Sequence, residues 1–105
     1  LNHGTLNALF LPAVVAFNAG AESVQKDQRL QRMARAMHLD QPGDIGEAIR
    51  DMNARLGLPR GLAEVGVSAA LFEQIIDGAM ADHCHKTNPR LASRADYRAM
   101  LDSAM

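Results

Sequence analysis

The stretch Leu6-Asn7-Ala8-Leu9-Phe10-Leu11-Pro12-Ala13-Val14-Val15-Ala16-Phe17 decides how this chain folds. It is a nearly continuous apolar run, and residues 1–21 around it contain no Asp, Glu, Lys or Arg. A helix hydrophobic on every side is buried on every side, so the run predicts a central core helix. It is too short to cross a bilayer, which needs roughly 20 apolar residues. Pro12 removes one rung of the hydrogen-bond ladder and is expected to kink the helix or restart it. The chain opens on Leu1 rather than Met. An uncharged opening of this kind suits the interior of a longer protein, and the expectation is a C-terminal fragment.

Outward from that helix, a second is expected from Glu22 to Met37 or Leu39, with Leu30, Met33, Ala34 and Met37 on one stripe. Gln41-Pro42-Gly43 breaks it. Asp44, three residues before Glu47, has a capping-box spacing and opens a third helix carrying Ile45, Ala48, Ile49, Met52 and Leu56 inward. That helix stops at Gly57, and the chain turns irregularly to Val67. Ser68 is expected to cap a fourth helix with Leu71, Phe72, Ile75, Ile76, Ala79 and Met80 inward. A loop from His83 to Leu91 follows, and Ser93 with Asp96 caps a last helix bearing Tyr97, Met100 and Leu101.

Composition agrees with this pattern. There are 18 alanines, while aromatic residues make up only 4%, which favours helix over strand. The fold class is therefore all-α, about five helices in a single domain spanning residues 1–105. That length allows one modest core. Eleven basic against 12 acidic residues give a net charge of -1, so no general field draws nucleic acid or an anionic membrane. The lone Cys84 excludes a disulfide scaffold. No basic segment precedes an apolar core of signal-peptide type, which places the expectation in the cytoplasm.

Four histidines and Cys84 are the residues able to bind metal or act as nucleophiles. His38 falls at the end of the second helix, where a cation suits the dipole. Imidazole and thiolate in His83-Cys84-His85 are both zinc and iron ligands. A closed site needs about four ligands, and no second cluster supplies the rest. The two histidines then serve to end the fourth helix. From side-chain chemistry alone the chain holds no complete active site.

Three blocks nevertheless carry a resemblance. His3-Gly4-Thr5-Leu6-Asn7-Ala8-Leu9-Phe10-Leu11-Pro12, followed by Phe17-Asn18, resembles the H-G-x-x-N-A-x-x-L-P…F-N signature of iron-containing (group III) alcohol dehydrogenases. Leu56-Gly57-Leu58-Pro59, then Leu62 and Val65-Gly66-Val67, is similar to the family's L-G-L-P…L…x-G-V stretch. Asp82-His83-Cys84 with Asn88-Pro89-Arg90 resembles its D-x-C-x-x-x-N-P-R segment. The blocks stand in the family's order and cover essentially the whole chain. Asn2 departs from the family's common Pro, and Ala13 from its frequent His.

The resemblance implies a C-terminal helical part of a two-domain enzyme, like that of the dehydroquinate synthase-like proteins. An N-terminal Rossmann-like domain would lie upstream and bind NAD or NADP. It implies a divalent metal, Fe2+ or sometimes Zn2+, held by one Asp and three His. His3 matches the last of those ligands, and the other three would lie upstream of this sequence. Cys84 falls where the family's cysteine lies near the nicotinamide and the substrate cleft. A small alcohol or aldehyde is the implied substrate, and the 105-residue piece alone is expected to be inactive. Its apolar first helix also implies a homo-oligomer or a covering domain. The alternative is a small non-catalytic helical interaction module.

Overall fold

In the computed structural model, which describes residues 2–105, the uncharged opening forms one unbroken helix, α1 (His3–Asn18). Leu1 lies outside the described residues. Asn2 starts the helix from extended backbone, its side-chain oxygen accepting from the Gly4 and Thr5 amides at 2.8 and 3.2 Å. Two of the donors that a helix start leaves open are thereby satisfied. The helix does not restart at Pro12. Proline has no N–H, so the carbonyl four residues back, that of Ala8, has no partner within the helix. Asn53 supplies one: its Nδ2 donates to the Ala8 oxygen at 3.0 Å. Asn53 is the one buried polar residue among those described, and this bond accounts for it.

Five more helices follow: α2 (Glu22–Lys26), α3 (Arg29–Ala36), α4 (Ile45–Arg55), α5 (Phe72–Ala81) and α6 (Arg94–Ala104). Short 3-10 turns lie at Pro42–Asp44, Leu62–Val65, Ala69–Leu71 and His83–Lys86, and no strand occurs among the described residues. The all-α expectation holds, with six helices in place of five. The extra one arises because the expected second helix breaks at Gln28, whose φ is 50°. In one continuous helix Val24 and Leu30 would point about 120° apart. The break lets Val24 be buried while Leu30 packs against the Ala34–Ile45–Ile49 cluster. His38 ends α3 through its backbone rather than its charge. It sits at φ 59°, while the Leu39 amide returns to the Ala34 carbonyl at 2.8 Å.

Two expected caps are corrected. The Asp44 and Ser68 side chains make no capping bond, because 3-10 turns lead into α4 and α5 and place the chain in helical geometry before each begins. The third expected cap is present: Ser93 and Asp96 form a reciprocal capping box at the start of α6. No helix among the described residues is long and apolar enough to cross a membrane.

The molecule measures 38 × 32 × 19 Å, and the shortest dimension leaves room for about two layers of helices. α1 therefore cannot be surrounded. Of its residues only Leu9, Pro12 and Ala13 are buried, and Leu11 is 45% exposed. It is central in another sense, because it joins two apolar clusters. Leu9 belongs to one with Leu62, Phe72, Ile76 and Leu101, and Val15 packs on the other, formed by Ala34, Ile45 and Ile49. Each fully buried side chain, such as Phe72 or Ile45, contributes roughly 1.5–3 kcal/mol. Met33, Met37, Met52, Leu56 and Leu71, expected inward, are exposed instead. On α4 the buried stripe is Ile45, Ile49 and Asn53, because the polar donor that α1 requires occupies the place expected for Met52. The close of the fold depends on Gly61, where a Cβ would collide with the Met105 carbonyl at the end of α6.

Asn53→Ala is expected to lower stability by about 1–3 kcal/mol, since it leaves the Ala8 carbonyl unpaired. In a Pro12→Ala background, where residue 12 regains its N–H, thermal unfolding should show a smaller loss for the same change; an equal loss in both would contradict the pairing. A second expectation concerns pH. The Ser93 amide and hydroxyl hold the Asp96 carboxyl below the usual carboxylate range. A depressed carboxylate stabilises the fold above its unfolded pKa, and that contribution disappears as pH falls through the folded value. The melting-temperature gap between wild type and Ser93→Ala should therefore be widest at neutral pH and narrow below about pH 4.

Candidate active site

A cleft of about 590 Å³ opens between α1, α5, the 83–86 turn and α6, a volume suited to a small ligand. One wall is the α1 face formed by Asn7, Phe10, Val14 and Phe17. At 100° per residue these four lie within about 40° of the direction of His3. His3 is the first residue of α1, exposed and one turn before Asn7. It is not itself among the lining residues. The helix thus sets the expected ligand at the end of the very stripe that forms the cleft wall. Facing it, Ile75, Ile76 and Ala79 of α5 supply an apolar surface, and Gly78 widens it because a Cβ there would meet no protein atom.

Cys84 lines the same cleft. Asp82 precedes it in extended backbone and caps the 83–86 turn, accepting from the Cys84 amide at 2.7 Å. The Cys84 Sγ lies 3.5 Å from His83 Nε2. Hydrogen bonding to Asp82, with burial and the Asp82 charge, pushes the thiol pKa up. The amide and side chain of Cys84 hold the Asp82 carboxyl down. Cys84 therefore carries its proton at neutral pH and is no ready nucleophile. Asp82, His83 and Cys84 are the one set of candidate ligands whose atoms lie within 4.8 Å of one another among the described residues, and all three are exposed.

His83 and His85, expected to end the fourth helix, do not do so: α5 stops at Ala81 and both belong to the following turn. His85 instead meets Tyr97, with Nδ1 2.6 Å from the hydroxyl. A second depression of about 550 Å³, between α1, α3 and α4, has Glu47 and Arg50 as its charged residues, which pair at 3.6 Å.

The motif residues turn out to hold this cleft together. Asn18 at the end of α1 and Asn88 exchange side-chain hydrogen bonds at 3.1 and 2.7 Å. Asn88 also donates to the Arg90 carbonyl at 2.6 Å. Arg90 reaches the Phe17 carbonyl at 3.0 Å, with its guanidinium 4.2 Å above the Phe17 ring. The loop carrying Cys84 and His85 is thus tied to the far end of α1. Gly57 in the middle block has φ 74° and closes α4, its amide returning to Ala54 and the Leu58 amide to Asn53. On the outer surface Arg94 joins Glu73 at 2.9 Å and Asp77 at 2.8 Å, linking α5 to α6. Arg98 also bonds Glu73, and the two arginines hold its carboxyl below the usual range.

Asn7, His85, Asn88, Arg90 and Tyr97 were not legible as cleft residues. The available signals were the four-residue step from His3 to Asn7 and the single tyrosine in the chain.

The profile of the Fe-containing alcohol dehydrogenase family, C-terminal, matches residues 1–105. The chain belongs to that family. It is 55% identical to a 4-hydroxybutyrate dehydrogenase of Cupriavidus necator over 105 residues, covering 100% of this chain and 28% of the relative. It is 33% identical to alcohol dehydrogenase 4 of Saccharomyces cerevisiae strain ATCC 204508 / S288c, covering 99% of this chain and 27% of that protein. An NAD-dependent methanol dehydrogenase of Bacillus methanolicus is 28% identical, with 100% and 29% covered. The chain therefore spans under a third of the length of these curated relatives. No solved structure matches it. The family relation accounts for the order of the three motif blocks, each of which closes a different part of one cleft-bearing helical unit.

Asn88→Ala removes the exchange with Asn18 and the bond to Arg90, and is expected to cost about 1–3 kcal/mol. Amide exchange in the 83–87 turn should quicken while that in α4 does not change. Equal protection of the turn in both proteins would contradict the tie.

Proposed function

We propose that this chain is the C-terminal helical part of a metal-dependent NAD(P) alcohol dehydrogenase, whose substrate is a small hydroxy acid. The observation that carries the reading is the α1 face. His3 stands at its end, and Asn7, Phe10, Val14 and Phe17 continue it as the wall of a cleft that Cys84 lines from the other side. The relative that is 55% identical is named for 4-hydroxybutyrate, which supports an alcohol that also bears a carboxylate.

The exposed His3 ring makes no hydrogen bond to other described residues, so its chemistry fits a ligand role for a borderline divalent ion, iron or zinc. One imidazole does not make a site, and the remaining ligands belong to residues upstream. Held there together with upstream ligands, such an ion would supply Lewis-acid stabilisation for an alcohol oxygen, and a nicotinamide would supply the hydride-accepting chemistry. The chain's own residues do the positioning. Asn2 fixes the start of α1 and thereby the backbone of His3. Phe10, Val14 and Ile75 present an apolar wall to the substrate chain and exclude water from it. Cys84, kept protonated by Asp82, borders the cleft without competing as a nucleophile.

A Rossmann-like N-terminal domain is the proposed partner, in a cytoplasmic homo-oligomer. Leu56 and Leu91 are 66% and 68% exposed, and Leu11 is uncovered on α1, which supports further protein against these faces. Neither nucleic acid nor a membrane is a proposed partner.

In the full-length enzyme, His3→Ala should lose bound metal by more than the roughly 10–100-fold that loss of an outer partner costs, and lose turnover with it. Metal analysis after dialysis checks this. Wild-type metal content and turnover in the variant would overturn the ligand assignment.

A further inference from the structure

The cleft contains one polar pair that neither metal nor nicotinamide chemistry requires. His85 Nδ1 lies 2.6 Å from the Tyr97 hydroxyl, with ring centroids 5.6 Å apart, and both residues line the cleft. Burial and the Asp82 charge push the Tyr97 pKa up, so the phenol keeps its proton and has an O–H to donate. With Nδ1 accepting that proton, Nε2 is the ring nitrogen that bears the N–H. Nε2 has no protein partner among the described residues.

Away from α1, the other polar groups on the wall are already engaged. Asn88 is bonded to Asn18 and to the Arg90 carbonyl. Asp82, the carboxylate on the wall, accepts from the Cys84 amide and lies 3.6 Å from His83 Nδ1. Asn7 belongs to the His3 side of the cleft, on α1. What remains is a mostly apolar chamber with one oriented donor on the α6 side. In such chambers a few placed polar groups set which ligand fits and in which direction.

We propose that His85, oriented by Tyr97, is the specificity-determining residue of this cleft, donating from Nε2 to the substrate's remote carboxylate. The proposal rests on the hydroxy-acid reading above. A substrate with an alcohol at one end and a carboxylate at the other is then held at both ends, its chain against Phe10, Val14 and Ile75. An alcohol without the carboxylate leaves the donor unpaired, and a site built around a hydrogen bond discriminates strongly against such analogues.

The test uses the full-length enzyme and two probes of equal carbon number, 4-hydroxybutyrate and 1-butanol. The readout is the ratio of their kcat/KM values. His85→Ala should lower that ratio about 10–100-fold, mainly through KM for 4-hydroxybutyrate. His85→Gln, which keeps a donor, should restore part of it. Tyr97→Phe, which keeps the ring and removes the orienting hydroxyl, should lower the ratio by a smaller factor. An unchanged ratio in His85→Ala, or equal loss on both probes, overturns the assignment while leaving the substrate reading intact. A wild-type enzyme with no preference for 4-hydroxybutyrate overturns both.

Discussion

The hydrogen bond from Asn53 to the Ala8 carbonyl is the contact on which the rest of this molecule depends. A proline in the middle of a 16-residue helix leaves one carbonyl open, and inside a protein such a group needs a partner. Asn53 meets that need from α4, so the helix passes through Pro12 without restarting. The same bond sets how α4 lies on α1. Ile45 and Ile49, eight and four positions before Asn53, are then buried on the same stripe and build the smaller apolar cluster. One polar contact thus fixes both the continuity of α1 and the docking of its neighbour.

Continuity of α1 matters because the helix has two ends with different tasks. Its start, fixed by Asn2, presents His3; its finish, Phe17-Asn18, receives Asn88 and Arg90 from the loop that carries Cys84 and His85. Between them the stripe from Asn7 to Phe17 forms a cleft wall. A break at Pro12 would separate the His3 end from the loop end, and the cleft would lose its common frame. The arginine stacking on Phe17 and the paired asparagines are closure devices for that frame. The Arg94–Glu73–Arg98 group on α5 and α6 is half-exposed and contributes little by comparison.

Most of the fold was legible from helical periodicity, and the places where it was not share a cause. Val24 and Leu30 do not lie on one face of an ideal helix, and the chain resolves this with a left-handed residue at Gln28 that no turn-forming Gly or Asn announces. Met52 and Leu56 fit the apolar stripe of α4 by spacing, but the inward place went to Asn53 because of a demand made by α1, 45 residues away. Asp44 and Ser68 have capping residue types, yet 3-10 turns carry the chain into the helices and leave those side chains unused. Ser93-x-x-Asp96 needs no distant partner, and it formed as expected. The readings of His3 and Cys84 rest on motif resemblance, and of the two Cys84 lines the cleft. By sequence His85 is weighed as a metal ligand and Tyr97 as a helix-face residue, but their pairing joins positions 12 residues apart across a loop, and no local spacing rule reports that.

His3 is the proposed metal-bearing end of α1, with the cleft beside it. Diffraction from crystals of the full-length enzyme, recorded across the absorption edge of its bound metal, tests this most directly. The account predicts an anomalous peak bonded to the His3 imidazole, at the end of the wall formed by Asn7, Phe10 and Val14. A metal held elsewhere, such as at Asp82, His83 and Cys84 with His3 free, would contradict it.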